Sequence, residues 1–391
     1  MGAKVGKNDE RGKKIKLHRV TFSVFSYLCA HNRNANPHVD DSPLTMNAAY
    51  TAHPARYTSG MNYRRCGRSG VLLPEVSLGF WHNFGSLTPE EQSRAIVRAA
   101  FDAGITHFDL ANNYGPEPGA AEQRLGRFLH DDLAAHRDEL FIATKAAYDM
   151  WEGPYGSWAS RKHLMASLDQ SLRRLQTDYV DLFYCHRYDP ATPLEETLQA
   201  LVDIVRSGKA LYIGLSRWPK EATVYGCGYL RRHDVPCLTF QGRLNLFDQA
   251  PKEEGVMQAA HEAGAGFVSF SPLAQGLLTD RYLHGIPADS RMARDPRFLK
   301  AEALTPQTLS RIRALNELAA QRGEPLATMA LSWVLHHEEV TSVIVGASSP
   351  GQLQRNLSCL GSPAFSDEEL ARIREILTEQ QPSLNSTHRQ S

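Results

Sequence analysis

The sequence of 391 residues lacks several features that would identify its class directly. Its six cysteines are scattered and include no CxxC pair, which disfavours zinc clusters and disulfide frameworks and predicts a reducing, cytoplasmic location. No apolar run approaches the roughly 18 residues that span a bilayer. Neither sign of charge is in excess, because Lys+Arg and Asp+Glu both number 43. That balance argues against a general nucleic-acid binder, and neither membrane nor nucleic acid is a predicted partner.

The first 45 residues differ from the rest of the chain. A basic, polar segment, KVGKNDERGKKIKLHR, precedes a short apolar one, VTFSVFSYLCAHN. This order is typical of signal peptides, but Thr, Ser and Tyr interrupt the apolar part and no good A-x-A cleavage site follows. We therefore expect a disordered extension, or sequence upstream of a true start at Met46. Residues 1–60 are assigned to this disordered or non-native N-terminal extension.

Eight short runs rich in Val, Ile, Leu, Phe and Tyr recur from about residue 61 onward. Apolarity that is continuous rather than alternating is typical of strands covered on both faces. The runs span 76–80, 106–111, 141–145, 180–186, 210–216, 238–244, 266–272 and 342–348.

Helical patterns fill the gaps between these runs. The Thr-Pro-x-Glu segments at 88–91 and 192–195 predict capping boxes with proline at the first helical position. Ser160 is predicted to cap a third helix, in which leucines 164, 168, 172 and 175 form one apolar stripe.

Eight strand–helix units predict a (β/α)8 TIM barrel over residues 61–380, followed by a tail at 381–391. The segment 63–76 predicts an N-terminal β-hairpin on the barrel floor. A long polar loop, about 273–305, and two helices separate strands 7 and 8. A doubly wound nucleotide fold is disfavoured, because no G-x-G-x-x-G motif follows the first strand.

Titratable side chains of four kinds lie at the predicted C-terminal ends of strands 2, 3 and 4, where barrel enzymes have their active sites. They are Asp109, Tyr114, Lys145 and His186. A lysine ammonium beside the tyrosine would lower its pKa from about 10, and the aspartate would keep the lysine charged. His186 would orient a carbonyl oxygen. The set suits proton delivery to an oxygen that gains negative charge as hydride reaches its carbon.

Each of these residues also has a plain structural interpretation when it is taken alone. Asp109 could cap a helix, Lys145 could be a solvated charge, Tyr114 a turn aromatic and His186 a rim histidine. The combination of all four on neighbouring strands favours catalysis. A metal site is disfavoured, because His82, His107 and His186 lack ligand spacing and HExxH is absent.

A hydride donor has a predicted site on the opposite side of the barrel. The segment VGASSPGQLQRNL (345–357) leads from strand 8 into a helix capped by Ser348 or Ser349, and helix N-termini at this place often bind phosphate. Gln352 and Asn356 share one helix face. Arg281 and Arg291, in the long loop, could supply charge to a phosphate or could simply be solvent-exposed. Phe270 could lie flat against a planar ring.

From about residue 61 to 380 the chain resembles the aldo-keto reductase family. HFDLANNYG, TKA, YVDLFYCHR and IGLSRW are similar to the family's aspartate–tyrosine, lysine, histidine and cofactor-serine segments. FWHNFG, YDMWEGPYGS, SPLAQGLLT, YLHGIPADSRM and VGASS further resemble the bacterial L-glyceraldehyde 3-phosphate reductase group. That group is related to the voltage-gated potassium channel β subunits.

The resemblance implies an extended NADPH across the barrel mouth, with Tyr114 as general acid. It implies that Ser216 and Gln241 hold the nicotinamide amide and that Phe270 stacks beneath its ring. The remaining implied contacts are Ser271, Leu273, Gly276 and Arg281 at the pyrophosphate, Arg291 and Ser348 at the 2′-phosphate, and Gln352 and Asn356 at the adenine. Trp81 and Gly346 complete the predicted cofactor set.

The chain departs from the family pattern at three places. GRLNL, with Gly242, Arg243 and Leu244, replaces the usual PSYNL, which removes part of the group's substrate pocket and offers an arginine for an anion contact. Asp280-Arg281 replaces Gly-Lys and keeps the positive charge. Arg355 replaces a common glutamate at the adenine.

The sequence therefore predicts an NADPH-dependent reductase of small aldehydes, such as L-glyceraldehyde 3-phosphate or methylglyoxal. The alternative is a cofactor-sensing subunit with slow turnover, like the channel β subunits. His186 favours the enzyme, because the channel subunits carry asparagine there. A lyase or isomerase barrel would leave the phosphate-binding half unexplained. The resemblance also implies a homo-oligomer, a tetramer or larger.

Overall fold

The computed structural model describes residues 50–378, apart from 116, 289 and 295–298 and the side chains of Arg291 and Arg294. Two short strands, β1 (Tyr63–Arg65) and β2 (Leu72–Pro74), form an antiparallel hairpin. Eight parallel strands then form a closed barrel in which each strand pairs with the next and the last pairs with the first. They are β3 (Val76–Gly79), β4 (His107–Asp109), β5 (Phe141–Ala146), β6 (Val180–Cys185), β7 (Ala210–Ser216), β8 (Cys237–Arg243), β9 (Gly266–Phe270) and β10 (Val340–Val345).

Helices follow the barrel strands along the chain, so the predicted (β/α)8 architecture is confirmed. Helices α9 and α10 are the two predicted between the seventh and eighth barrel strands. The full set is α1 (Glu90–Asp102), α2 (Ala120–Asp131), α3 (Arg161–Leu175), α4 (Leu194–Arg206), α5 (Lys220–Arg232), α6 (Ala250–Glu253), α7 (Val256–Glu262), α8 (Arg291–Arg294), α9 (Pro306–Gln321), α10 (Leu326–Leu335), α11 (Pro350–Leu357) and α12 (Asp367–Thr378). In the part of the chain that the structure describes, no helix is long and apolar enough to cross a membrane.

The hairpin closes the N-terminal end of the barrel, as predicted. The Cys66 thiol donates to the carbonyl oxygen of Leu238 near the start of β8, at 3.3 Å, and the Arg68 amide donates to the carbonyl oxygen of Gly264, at 2.9 Å. Gly67 between them has a φ of +54°, and a Cβ there would lie 2.1 Å from the Gly264 oxygen. Only glycine fits this close approach. With the floor closed, the opposite end is left for a site.

The continuous apolar runs of the sequence are explained by burial on both strand faces. All six residues of β6 and all six of β10 are buried. Side chains inside the barrel form one apolar cluster, which is capped from below by Cys66 and Leu73 of the hairpin segment and includes Leu182, Val268 and Ile344. Against this interior, polar side chains at the C-terminal strand ends are exceptions that need a functional explanation.

The predicted capping boxes at residues 88–91 and 192–195 are wrong. Helices α1 and α4 begin one residue later than predicted, with Pro89 and Pro193 at the N-cap and no side-chain cap. The Thr192 hydroxyl instead donates to Asp189 Oδ2 at 2.6 Å, so the turn before the helix has taken its hydrogen bond. The Ser160 cap is confirmed, because its hydroxyl accepts from the His163 amide at 3.3 Å.

Contacts with the outer helices begin at Tyr50, upstream of residue 61. The Tyr50 hydroxyl donates to Asp102 Oδ1 at 2.7 Å, and Ala52 is buried. The predicted extension up to residue 49 and the predicted tail beyond 378 lie outside the described residues. The domain limits at residues 60 and 380 therefore stay predictions.

A polar cluster with a fully buried histidine lies within the barrel wall. His107 Nδ1 lies 2.8 Å from the Ser77 hydroxyl, which in turn lies 2.6 Å from the Ser342 hydroxyl. Burial lowers the pKa of His107 from 6.5 to about 4; the positive charge of Lys145 acts in the same direction, and Asp109 acts against it.

We expect acid to destabilise the protein through His107. The unfolded chain takes up a proton near pH 6.5 that the folded protein refuses until about pH 4. Stability therefore falls as the pH is lowered through this window, by about 1.4 kcal/mol per pH unit for one such group. Urea unfolding of His107→Gln between pH 7 and 4.5 should give a shallower pH dependence than wild type. The exposed His261→Gln on α7 is the control, and an equal slope in both variants would contradict the assignment.

Candidate active site

The centre of the site is a buried ion pair at the C-terminal ends of two neighbouring strands. Asp109 ends β4 and Lys145 lies next to the end of β5, and Lys145 Nζ is 2.6 Å from Asp109 Oδ2. Lys145 also donates to the carbonyl oxygen of Leu110 at 2.6 Å, and Gln241 Nε2 donates to Asp109 Oδ1 at 2.9 Å. Burial lowers the pKa of Lys145 from its ordinary value, while Asp109 opposes that change. The carboxylate is thus what keeps a buried cation here.

Tyr114 lies beside this pair, five residues beyond the end of β4. Lys145 Nζ is 5.1 Å from the centre of the Tyr114 ring, and the Trp81 ring is 6.5 Å away on another side. Within the described residues, no hydrogen bond joins the ammonium to the phenol. Burial raises the pKa of Tyr114 well above 10, Asp109 and Tyr148 act in the same direction, and Arg217 opposes them.

The predicted lowering of the Tyr114 pKa by Lys145 is therefore wrong for this arrangement. The ammonium gives its protons to Asp109 and to the Leu110 carbonyl, and desolvation of the phenol dominates. The consequence is a phenol that stays protonated throughout the neutral range. It is a proton donor rather than a base.

His186 directly follows β6 and is buried. Its ring lies 5.8 Å from the Tyr114 ring and 4.7 Å from the Tyr148 ring, which it meets edge-on. Burial lowers the pKa of His186 well below 6.5, with the charges of Lys145, Arg217 and Arg187 adding to the effect. The imidazole is therefore neutral. Its Nδ1 is buried without a hydrogen-bond partner in the described part of the chain.

Four residues at the mouth of the site were missed by the sequence analysis: Tyr148, Trp158, Arg187 and Arg217. The Arg187 guanidinium lies between two rings, 4.4 Å from Tyr148 and 3.7 Å from Trp158. Arg217 Nη1 donates to the Tyr148 hydroxyl at 3.2 Å. Position after a strand end was an available signal, because Arg187 follows His186, Arg217 follows Ser216 and Tyr148 lies three residues past Lys145.

On the next strands, the predicted nicotinamide residues lie at adjacent strand ends. Ser216 ends β7, Gln241 lies in β8 and Phe270 ends β9. The Ser216 hydroxyl is buried and has no hydrogen-bond partner among the described residues. The Gln241 amide nitrogen is already bonded to Asp109. Arg217 and Arg243 flank Phe270, with guanidinium carbons 6.0 and 5.7 Å from its ring centre.

The loop after β9 carries the predicted pyrophosphate residues in an unusual backbone. Ser271, Ala274 and Gln275 have left-handed φ values of 52°, 46° and 59°, although none is glycine. Such strain concentrates at functional sites. The other predicted residues here are the half-buried Leu273, Gly276 with a φ of +103°, and the exposed Arg281. The backbone of Arg291 begins α8, but its side chain lies outside the described part.

After β10, the predicted phosphate and adenine residues surround the start of α11. Ser349 is the N-cap, and its hydroxyl accepts from the Gln352 amide at 3.2 Å. The Ser348 amide and hydroxyl donate to Gln352 Oε1 at 2.7 and 2.8 Å, so these two predicted residues are bonded to each other. Asn356 is buried, and its Nδ2 has no partner in the described chain. A Cβ at Gly346 would meet open space.

The geometry thus gathers all four predicted catalytic residues at one end of the barrel. The predicted cofactor residues lie beyond the C-terminal ends of β3, β7, β8, β9 and β10, around the same mouth. Among the residues that the structure describes, no group of three or more His, Cys, Asp or Glu could hold a metal ion.

Comparison with known proteins places the chain in a defined group. The model of the aldo/keto reductase family matches residues 75–378. The chain is 54% identical over 327 residues to L-glyceraldehyde 3-phosphate reductase of Escherichia coli O157:H7, which covers 83% of this chain and 94% of that protein. It is 34% identical over 333 residues to a probable voltage-gated potassium channel subunit beta of Oryza sativa subsp. japonica, covering 84% of this chain and all of that protein.

Proposed function

The chain belongs to the aldo/keto reductase family, and on that premise we propose that it is an NADPH-dependent reductase of small aldehydes. The observation that carries the proposal is the buried Asp109–Lys145 pair beside a protonated phenol and a neutral imidazole. These groups have no structural partner that requires them to be together at the barrel mouth. They suit the reduction of a carbonyl group, in which an oxygen must be held and then protonated.

In this proposal each catalytic side chain has one role. Tyr114 donates its proton to the oxygen of the aldehyde. His186, which is neutral, donates a hydrogen bond to the same oxygen and orients it. The Lys145 cation, 5.1 Å from the phenol ring, stabilises the negative charge left on Tyr114. Asp109 keeps Lys145 charged and in position.

The residues around the mouth fit an extended nicotinamide dinucleotide. The buried hydroxyl of Ser216 and the buried Nδ2 of Asn356 lack partners, and open space adjoins Gly346. When bound, the cofactor supplies the hydride. We assign the nicotinamide amide to Ser216 and Gln241 and the ring face to Phe270, beside Trp81. Ser271, Leu273, Gly276 and Arg281 are assigned to the pyrophosphate, Arg291 and Ser348 to the 2′-phosphate that distinguishes NADPH, and Gln352 and Asn356 to the adenine.

The substrates that we propose are L-glyceraldehyde 3-phosphate, which the name of the Escherichia coli relative contains, and methylglyoxal or a similar small aldehyde. The five described cysteines are all buried free thiols, which supports a cytoplasmic enzyme. The homo-oligomer, a tetramer or larger, stays a prediction that size-exclusion chromatography with light scattering would test.

The test is NADPH oxidation with a panel of aldehydes: L- and D-glyceraldehyde 3-phosphate, methylglyoxal and 4-nitrobenzaldehyde. We expect turnover of at least about 1 s⁻¹ with the best aldehyde, and a higher kcat/KM with NADPH than with NADH. NADPH binding is followed in parallel by its fluorescence. Tight binding without reduction of any aldehyde would contradict the enzyme and support a cofactor-sensing subunit.

A further inference from the structure

Arg217 is an exposed arginine at the mouth of the site, in a conformation that arginine rarely adopts. It follows Ser216 at the end of β7 with a left-handed φ of 58°. A non-glycine residue keeps such a φ only where its surroundings impose it, and such positions cluster at functional sites. Its Nη1 donates to the Tyr148 hydroxyl at 3.2 Å, which fixes the direction of the guanidinium.

The charge of Arg217 is not compensated within the described chain, where no carboxylate lies within 4.0 Å of it. Its two neighbours differ in this respect. Arg187 lies 3.6 Å from Asp149 Oδ1, and Arg243 lies 3.5 Å from Asp248 Oδ2. Arg217 is thus the arginine of this group that keeps its charge available to an anion.

This charge lies close to the place where the aldehyde would react. The Tyr148 ring, which accepts the hydrogen bond from Arg217, packs edge-on against His186 at 4.7 Å. On the other side, the guanidinium lies 6.0 Å from the Phe270 ring. Its charge also acts on the pKa values of both Tyr114 and His186. A molecule with its carbonyl at Tyr114 and His186 therefore extends past this guanidinium.

We propose that Arg217, held by Tyr148, determines substrate specificity by binding an anionic group at the end of the aldehyde remote from its carbonyl. The inference rests on the proposed reductase function and adds the substrate class, which is a short aldehyde bearing a phosphate or a carboxylate. A guanidinium presents paired donors that match both groups. Phosphate or carboxylate supplies the negative charge that this arginine lacks.

The test compares two substrate pairs that differ mainly in charge, assayed with NADPH: L-glyceraldehyde 3-phosphate against L-glyceraldehyde, and succinic semialdehyde against butanal. For each pair, the ratio of kcat/KM for the charged over the neutral aldehyde is measured. In Arg217→Met we expect this ratio to fall about 10- to 100-fold, chiefly through KM of the charged aldehyde, as for a lost charge-assisted hydrogen bond. Arg217→Lys, which keeps the charge, should recover part of the ratio.

A matched control removes the same charge elsewhere. Arg232 is exposed near the end of α5, so Arg232→Met changes the net charge equally without touching the mouth. Its ratio should stay within about twofold of wild type, since rim and surface charges act weakly at a distance. Circular dichroism and the thermal midpoint of each variant confirm that it is folded.

Each other outcome overturns the inference in an identifiable way. An unchanged ratio with a raised Kd for NADPH would mean that Arg217 binds a phosphate of the cofactor. An unchanged ratio with an unchanged Kd would mean that it is a surface cation without a ligand. If wild type itself reduces neither member of either pair, nor any aldehyde of the panel, the proposed reductase function is wrong and this inference fails with it.

Discussion

The Tyr114→Phe variant is expected to reduce aldehydes at least about 10²-fold more slowly than wild type, because it loses the only proton donor that we assign to the carbonyl oxygen. The ring, with its contacts to His186 and Trp81, remains. We therefore expect the loss in kcat, with the Kd of NADPH within about threefold of wild type. Single-turnover NADPH oxidation and a fluorescence titration of the cofactor measure the two quantities separately.

The pH dependence of the wild-type rate provides a second check on Tyr114. Burial raises the pKa of this phenol well above 10, so it keeps its proton at every pH below that value. The rate should show no loss from deprotonation of Tyr114 between pH 7 and 9. His186 is neutral over the same range, because burial lowers its pKa well below 6.5.

Tyr148 offers a matched control for the removal of a hydroxyl. Tyr148→Phe keeps the ring that packs against His186 and deletes only the hydroxyl that accepts from Arg217. We expect a loss in kcat of no more than about tenfold with a neutral aldehyde, since no proton transfer is assigned to this residue. A Tyr114→Phe enzyme as active as wild type would show that another group protonates the oxygen.

The barrel and its site were predictable because the relevant signals are local in sequence. Each buried strand appears as a continuous apolar run, and the polar residue that ends it is then conspicuous, as Asp109 and Lys145 are. Closure of the barrel brings these residues together without further information. The hairpin was predictable for the same reason, since its two strands and its turn are contiguous.

The failures have physical causes that a local pattern does not contain. Thr192 has the sequence of a capping box, yet its hydroxyl is bonded to Asp189 in the preceding turn. The pKa of Tyr114 depends on where the protons of Lys145 point and on how much water the phenol loses, and both are three-dimensional quantities. Arg217 was overlooked because an arginine after a strand resembles an ordinary solvated charge. Only its bond to Tyr148 and its distance from any carboxylate distinguish it.

Lys145→Met is expected to cost both stability and activity, since it removes one partner of a fully buried ion pair. Asp109 would keep its bond from Gln241 but would lose the cation 2.6 Å from its other oxygen. Breaking a buried pair in this way typically costs about 3–5 kcal/mol. Urea unfolding should show a lower midpoint, and kcat should fall at least about 10²-fold because nothing then stabilises the charge left on Tyr114.

A surface pair gives the reference for this loss of stability. Lys209 Nζ lies 2.7 Å from Asp169 Oδ1, but both side chains are more than a third exposed. Lys209→Met should therefore cost less than about 1 kcal/mol. The same chemical change would then have a small effect at the surface and a large one inside the barrel.

The double variant Asp109→Asn/Lys145→Met separates the two effects of the buried pair. It removes the unpaired carboxylate along with the ammonium, so most of the lost stability should return, since an uncompensated buried charge is what makes the single variant unstable. Its kcat should stay at least about 10²-fold below wild type, because the cation beside Tyr114 is still missing. Recovery of both stability and kcat would mean that Lys145 only compensates Asp109 and takes no part in proton transfer. Recovery of stability alone would assign the pair its catalytic role independently of folding.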